Sequence, residues 1–103
     1  MVACIIEYSV RAGMEERLGE AFAALIPEIQ AIDGFLSMDN FESQTRPGVR
    51  LEISYWRDDR ALQLWIDNAA HREKMLVGRK EIFSAYKILS VDVKRQIEWT
   101  RPA

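Results

Sequence analysis

The chain has 103 residues, of which 49% are hydrophobic and 29% are charged, and this size and balance predict one globular domain spanning residues 1–103. Its net charge of −2 lacks the basic excess that phosphate binding requires, so we expect no nucleic-acid partner. A single cysteine, Cys4, excludes an internal disulfide, and no apolar run approaches the roughly 18 residues of a membrane span. We therefore expect a cytoplasmic protein without a membrane partner.

The first third of the chain changes from a strand pattern to a helix pattern. Residues 2–10 alternate as a strand that is partly buried on both faces. From Met14 to Ile29, apolar residues recur at steps of three and four, which predicts an amphipathic helix of about five turns. Pro27 removes one helical hydrogen bond, so we expect a kink or an early end there.

The middle of the chain predicts a β-hairpin. Residues 35–45 have the pattern of a strand that several polar residues dilute, and Arg46-Pro47-Gly48 has the composition of a turn. Residues 49–56 alternate cleanly between an apolar and a more polar face. The tight connection makes the two strands antiparallel neighbours.

The last part of the chain predicts helices followed by one long strand. The carboxylate of Asp58 or Asp59 can accept hydrogen bonds from the free amides of a first helical turn. Residues 68–77 predict a further short helix that stops at Gly78. After one more short helical piece, residues 86–99 predict the last strand.

The resulting order is β-α-β-β-α-β. This order is typical of the ferredoxin-like α+β fold, in which a four-stranded antiparallel sheet carries both helices on one face. The opposite face still holds bulky residues, and one chain has no element left to cover it. We therefore expect a homodimer with two sheets face to face, a dimeric α/β barrel.

Residues 55–79, YWRDDRALQLWIDNAAHREKMLVGR, resemble the antibiotic biosynthesis monooxygenase family, the dimeric α/β-barrel group that includes quinol and heme-degrading monooxygenases. The resemblance covers essentially the whole chain. The matching residues are Tyr55-Trp56-Arg57-Asp58, Trp65, His71-Arg72, Gly78-Arg79 and the strand from Tyr86 to Arg95.

The resemblance implies a cofactor-independent monooxygenase that oxidises an aromatic phenol, quinol or polyketide-like substrate with O2 in the barrel cavity. The protein would exclude water, help to form a substrate anion and stabilise developing oxyanions. A heme-degrading enzyme with His71 as the axial ligand is one alternative, and a non-catalytic barrel that binds a small ligand is another. One His and one Cys exclude a His/Cys zinc site within the chain, so we expect no metal.

Two residues are candidates for catalysis. His71 is the only side chain whose ordinary pKa lies near neutrality, which favours it as a proton acceptor. Its structural alternative is a histidine that hydrogen-bonds a backbone carbonyl and holds the loop. Arg79 can bind a phenolate or carboxylate with its forked donors. Its structural alternative is an ion pair with Asp58, Asp59 or Glu73.

Four residues are candidates for substrate binding: Trp65, Tyr55, Tyr86 and Asn68. Trp65 can either stack on a flat aromatic substrate or pack its helix on the sheet. The two tyrosines can donate hydroxyl hydrogen bonds in a cavity or belong to the core. Asn68 stands where close relatives in the family often have a His. Cys4 has apolar neighbours in the sequence, so we interpret it as a small core residue.

Overall fold

The computed structural model describes all 103 residues and is built on a four-stranded antiparallel sheet. The sheet has the strand order β2-β3-β1-β4, so β1 is central and pairs with β3 and β4. This is the ferredoxin-like α+β fold that the sequence predicts. The elements in chain order are β1 (Val2–Val10), α1 (Glu15–Gln30), β2 (Phe35–Glu42), β3 (Val49–Trp56), α2 (Asp59–Ile66), α3 (Ala69–Val77), a π-helical turn (Gly78–Ile82) and β4 (Phe83–Asp92).

The helices cover one face of the sheet, and the main core lies there. Cys4 of β1 and Trp56 of β3 pack in one buried cluster with Ile29 of α1 and Leu62 of α2. Trp56 and Leu62 are fully buried, and the indole N–H of Trp56 donates to the Ser54 hydroxyl at 2.9 Å. Because side chains alternate along a strand, the even-numbered residues of β1 and β3 point to this helix-covered face.

The other face of the sheet, which we call the open face, has no helix over it. Large apolar side chains lie there without cover: Leu89 and Val91 of β4 are 45% and 38% exposed, and Phe41 of β2 is 51% exposed. In the register of the sheet, Leu89 and Val91 pair with Ile5 and Ala3 of β1, and Phe41 pairs with Leu51 of β3. The uncovered apolar face predicted from the sequence is therefore present.

The helix boundaries follow local hydrogen bonding. α1 runs through Pro27 and ends at Gln30, so the proline precedes the end by less than one turn. Asp58 is the cap of α2, because its side chain accepts from the Ala61 amide at 2.9 Å. No helix of the structure is long and apolar enough to cross a membrane.

Gly78 stands at the end of α3, where the sequence predicts it, and it also allows a close contact. It keeps a right-handed conformation, with φ −56° and ψ −47°, and α3 passes directly into the π-helical turn. α3 therefore ends at Val77 with Gly78 as its C-cap, as the sequence predicts, although the glycine does not take the left-handed conformation common at helix ends. A Cβ atom at this position would lie 2.6 Å from the Phe83 ring, so the glycine permits a close approach of that ring to the backbone.

The bounds of two strands also differ from the sequence-based prediction. β4 spans Phe83–Asp92 rather than residues 86–99. β4 pairs only with β1, and the last residue pair between them is Val2 with Asp92. Beyond this pair, one further hydrogen bond forms, from the Val93 amide to the Met1 carbonyl. Without a neighbour to supply the ladder, the alternation in residues 93–99 forms no strand. β2 ends at Glu42 rather than residue 45, where the Ser43 hydroxyl accepts turn amides instead.

Candidate active site

A cavity of about 420 Å³ lies between the helix-covered face of the sheet and the layer formed by α2, α3 and the π-helical turn. This volume is within the range of about 300–1,000 Å³ typical of small-molecule sites. Of its 17 lining residues, 11 are hydrophobic, so a bound molecule would lie mainly against apolar walls. The polar and aromatic side chains among them are Ser54, Ser90, Glu52, Trp65, His71, Arg72, Arg79 and Tyr86.

His71 lines this cavity, and one hydrogen bond fixes the tautomer of its imidazole. Its Nδ1 lies 3.0 Å from the Trp65 carbonyl oxygen. Because a carbonyl can only accept, Nδ1 carries the proton and Nε2 of the neutral ring has a free lone pair. Burial lowers the pKa of His71 below its ordinary 6.5, against the opposing effect of that hydrogen bond. The imidazole is therefore a neutral base at pH 7.

Trp65 and Asn68 hold this imidazole in place. The rings of Trp65 and His71 stack with centroids 4.2 Å apart and an interplanar angle of 17°. Asn68 is the N-cap of α3, and its Oδ1 accepts from the His71 amide at 3.0 Å. Trp65 also stacks on Trp56 in the core, at 6.5 Å and 24°. Trp65 thus packs α2 on the sheet, which is the structural alternative, and it also lines the cavity, while its stacking on a substrate stays a prediction.

Two arginines stand at the exposed side of the cavity. Arg72 and Arg79 both line it and are otherwise exposed. Neither takes part in an ion pair of the structure, so the pairing of Arg79 with Asp58, Asp59 or Glu73 suggested by the sequence is wrong. Five N–H donors on each guanidinium remain available for an anionic group of a ligand.

The structure separates the remaining candidates. Tyr86 of β4 lines the cavity together with His71 and Arg79. Tyr55 does not, because it is an odd-numbered residue of β3 and belongs to the open face, where it lines a different depression with Leu36 and residues 95–98. Asn68 lies outside the cavity lining and acts on the site through its hydrogen bond to the His71 amide.

Glu52 is the cavity residue that the sequence reasoning missed. It lies on β3, on the helix-covered face, and its carboxyl is half-buried in the cavity wall. Burial raises the pKa of Glu52 from 4.5 to about 7, and no charged neighbour contributes to the change. A signal was present, because Arg50, Glu52 and Ser54 form the polar face of the alternation in residues 49–56. A polar face normally points to solvent, whereas here it faces the cavity.

The cavity offers little to a metal ion. The structure contains no group of three or more His, Cys, Asp or Glu side chains arranged to hold one. The Cys4 thiol lies at the cavity wall, and burial, followed by the nearby Glu52 charge, raises its pKa. Because the thiolate is the reactive form, this environment keeps Cys4 unreactive. The chemistry of the site rests on the imidazole, the carboxyl, the guanidinium groups and the tyrosine hydroxyl.

A family model for antibiotic biosynthesis monooxygenases matches residues 1–75. The chain belongs to the antibiotic biosynthesis monooxygenase family. Its match to a jasmonate monooxygenase of Pyricularia oryzae has 35% identity over 65 residues, which are 63% of this chain and 30% of that protein. The match thus spans less than a third of the length of that relative.

Solved structures of the same fold are similar over nearly their whole length. The Rv0793 protein of Mycobacterium tuberculosis has a TM-score of 0.81 at 18% identity, and the match covers 94% of this chain and 98% of that chain. SnoaB, a cofactor-independent oxygenase of Streptomyces nogalater, has a TM-score of 0.78 at 11% identity, covering 93% of this chain and 95% of that chain. At these identities the likeness establishes the shared fold.

Proposed function

We propose that this family member is a cofactor-independent monooxygenase that oxidises a phenol, quinol or polyketide-like aromatic substrate with O2 in the cavity. The observation that carries the proposal is the environment of His71, a neutral imidazole with fixed tautomer that shares one mostly apolar cavity with Arg79 and Tyr86. Trp65, which is buried and stacks on His71 and Trp56, adds to the apolar wall of the cavity. His71 accepts a proton, and Arg79 and Tyr86 donate hydrogen bonds to developing oxyanions.

The reaction balances without an added reductant. When a phenol becomes a quinone, one oxygen atom of O2 enters the ring and the other leaves as water. The electrons that reduce O2 come from the ring itself, and the two hydrogens of the water come from the hydroxyl group and from the carbon that gains oxygen. The protein must therefore accept and return protons, stabilise an oxyanion and exclude bulk water, which are tasks for side chains.

The relatives support this chemistry. The Pyricularia oryzae protein is by name a monooxygenase, and SnoaB is described as a cofactor-independent oxygenase. Jasmonate bears a carboxylate, and in this chain the unpaired Arg72 and Arg79 at the cavity could bind such a group on a substrate. The aromatic Trp65–His71 stack favours a flat ring as the body of the substrate.

Oxygen uptake with a panel of quinols and naphthols tests the proposal. We expect substrate-dependent uptake by the wild-type protein and a loss of about 100-fold or more in kcat/KM in His71→Ala, the usual effect of removing a general base. Added imidazole should restore part of the activity of this variant, whereas it cannot restore a misfolded protein. Absence of uptake with every compound, or a His71→Ala variant of wild-type activity, contradicts the proposed role.

Heme binding is the second candidate, and one observation favours it. A histidine whose Nδ1 donates to a backbone carbonyl is the usual arrangement of a metal-ligating imidazole, and His71 has it. His71 would hold the heme iron through Nε2, and the apolar cavity walls would contact the porphyrin. Titration with hemin tests this: a saturable Soret band at one heme per chain that is lost in His71→Ala supports heme binding, and non-saturating binding rejects it.

We also propose that the chain forms a homodimer through the open face. The exposed apolar side chains Phe41, Leu89 and Val91 form a surface that a second copy would cover. Light scattering of the wild-type protein should give the mass of two chains. Leu89→Lys should give monomers, while the control Ile26→Lys, at a 42% exposed site on α1, should remain dimeric. A wild-type mass of one chain rejects the proposal.

A further inference from the structure

Glu52 is placed at the sheet wall of the cavity, opposite the helix layer that carries His71. In the register of the sheet it lies between Ile6 of β1 and Asn40 of β2. Glu52 and His71 line both the main cavity and a smaller hollow of about 40 Å³ that extends beneath α1. A molecule in the cavity would therefore have the carboxyl on its sheet side and the imidazole on its helix side.

No cation of the chain neutralises the Glu52 carboxyl. Glu7 of the sheet pairs with Arg46 and Lys87, and Glu42 pairs with Arg50. Asp39 and Asp92 also lack an ion pair, but both are exposed to solvent, whereas Glu52 is half-buried. Glu52 takes part in none of the ion pairs and in none of the side-chain hydrogen bonds of the structure. Placing an unpaired carboxyl in an apolar wall costs folding free energy, so its presence points to a ligand rather than to stability.

We propose that Glu52 accepts the hydroxyl proton of the substrate and thereby restricts the cavity to ligands with an ionisable hydroxyl group. This inference rests on the proposed function, since it concerns the same cavity. The substrate O–H bond breaks, a bond forms between the proton and a carboxylate oxygen of Glu52, and the substrate becomes an oxyanion with no change in its electron count. His71 then accepts the second proton, from the carbon that gains oxygen.

The acid–base properties of the cavity fit this division of roles. With a pKa of about 7, Glu52 is present in both protonation states near neutral pH, as a group that takes and returns a proton must be. β2 and α1 contribute only apolar residues to the cavity lining. The titratable or charged residues that face Glu52 from the other elements are Cys4 and Tyr8 of β1, Tyr86 of β4, His71 and Arg72 of α3, and Arg79 of the π-helical turn.

Binding of 2-naphthol and of 2-methoxynaphthalene, which lacks the hydroxyl proton, tests the proposal by calorimetry. At about pH 8 the wild-type protein should prefer 2-naphthol by about 10-fold or more, the effect of one hydrogen bond to a charged acceptor. The preference should fall as the pH drops below 7 and Glu52 becomes protonated. Glu52→Gln should lose both the preference and its pH dependence. The matched control is Glu73→Gln, on α3 but outside the cavity lining, and it should behave like the wild type.

The outcomes separate this inference from the proposed function. If Glu52→Gln keeps the preference and oxidises 2-naphthol at the wild-type rate, the role of Glu52 is refuted while the monooxygenase remains. If the preference depends on Glu52 but no compound of the quinol and naphthol panel supports oxygen uptake, the inference stands as ligand selection and the monooxygenase is refuted. If the wild-type protein binds neither compound, both are refuted.

A measurement on the wild-type protein removes any dependence on how the variant folds. Carbon-13 NMR of the glutamate carboxyls should show one resonance that titrates near pH 7. Addition of 2-naphthol should shift this resonance and change its titration midpoint, and 2-methoxynaphthalene should shift it much less. Carboxyls that all titrate near their ordinary pKa, or a resonance indifferent to naphthol, would overturn the assignment of Glu52.

Discussion

Replacement of Glu52 by glutamine should stabilise the protein, and the gain should depend on pH. The carboxyl of Glu52 is half-buried in an apolar wall without a cation partner, and this burial raises its pKa from 4.5 to about 7. Glutamine has nearly the same shape but carries no charge at any pH. The substitution therefore removes the cost of a desolvated carboxylate and leaves the packing of β3 almost unchanged.

The magnitude follows from the linkage between proton binding and folding. Each pH unit by which the pKa of a group differs between the folded and unfolded states corresponds to about 1.4 kcal/mol. For Glu52 the difference between 4.5 and about 7 gives about 3 kcal/mol as an upper limit. Between these two pH values the folded protein binds more protons than the unfolded chain, so the free energy of unfolding falls as the pH rises.

Urea unfolding of the wild type and of Glu52→Gln at several pH values measures this effect. Below about pH 4.5 the difference between the two proteins should be constant. It should grow in favour of the variant as the pH rises and level off above about pH 7, at up to about 3 kcal/mol. Subtraction at each pH removes the contributions of groups common to both proteins, including His71. Parallel stability profiles across the whole range would refute the assignment of Glu52 as a desolvated carboxyl.

Two further substitutions test local features of the site. Asn68→Ala removes the cap of α3, which is the acceptor for the His71 amide, and should lower the free energy of unfolding by about 1 kcal/mol in urea titrations. Asn68→Asp keeps the acceptor and should retain most of the wild-type stability. Equal losses in the two variants argue against capping. Gly78→Ala places a Cβ atom 2.6 Å from the Phe83 ring and should lower the free energy of unfolding by about 1–3 kcal/mol, measured by thermal unfolding. The control Gly19→Ala, with open space around the site in α1, should leave the stability unchanged or raise it. Equal effects at the two sites would contradict the close approach.

The elements with strong local signals could be predicted from the sequence. β1 and β3 have the predicted bounds, because a period of two is set by the backbone of a strand and appears directly in the residues. The cap of α2 was predictable as Asp58 or Asp59, because a carboxylate accepts from the amides of its own helix, and the structure has Asp58 in that role. β4 was predicted too long because its end depends on the register with β1, which is not a local property.

Part of the site could be predicted and part could not. The cavity brings together four residues that the sequence had indicated as candidates: His71, Arg79, Trp65 and Tyr86. The first three lie in residues 55–79, which resemble the family, and Tyr86 lies in the last strand. Tyr55 was indicated on equal grounds but belongs to the open face. The position of a tyrosine in the alternation of a strand decides which face of the sheet it lies on, and the sequence pattern does not say which face the helices cover.

The sequence by itself determined the order of elements and the ferredoxin-like fold, because these follow from periodicity and from side chains near one another in the chain. The family was indicated by the resemblance of residues 55–79 and is shown by the family model. Only the tertiary structure decided that the polar face of β3 lies beneath the helices. That placement turns Glu52 from a surface residue into a desolvated carboxyl of the cavity. The physical reason is that alternation shows two unlike faces, whereas burial depends on what packs against each of them.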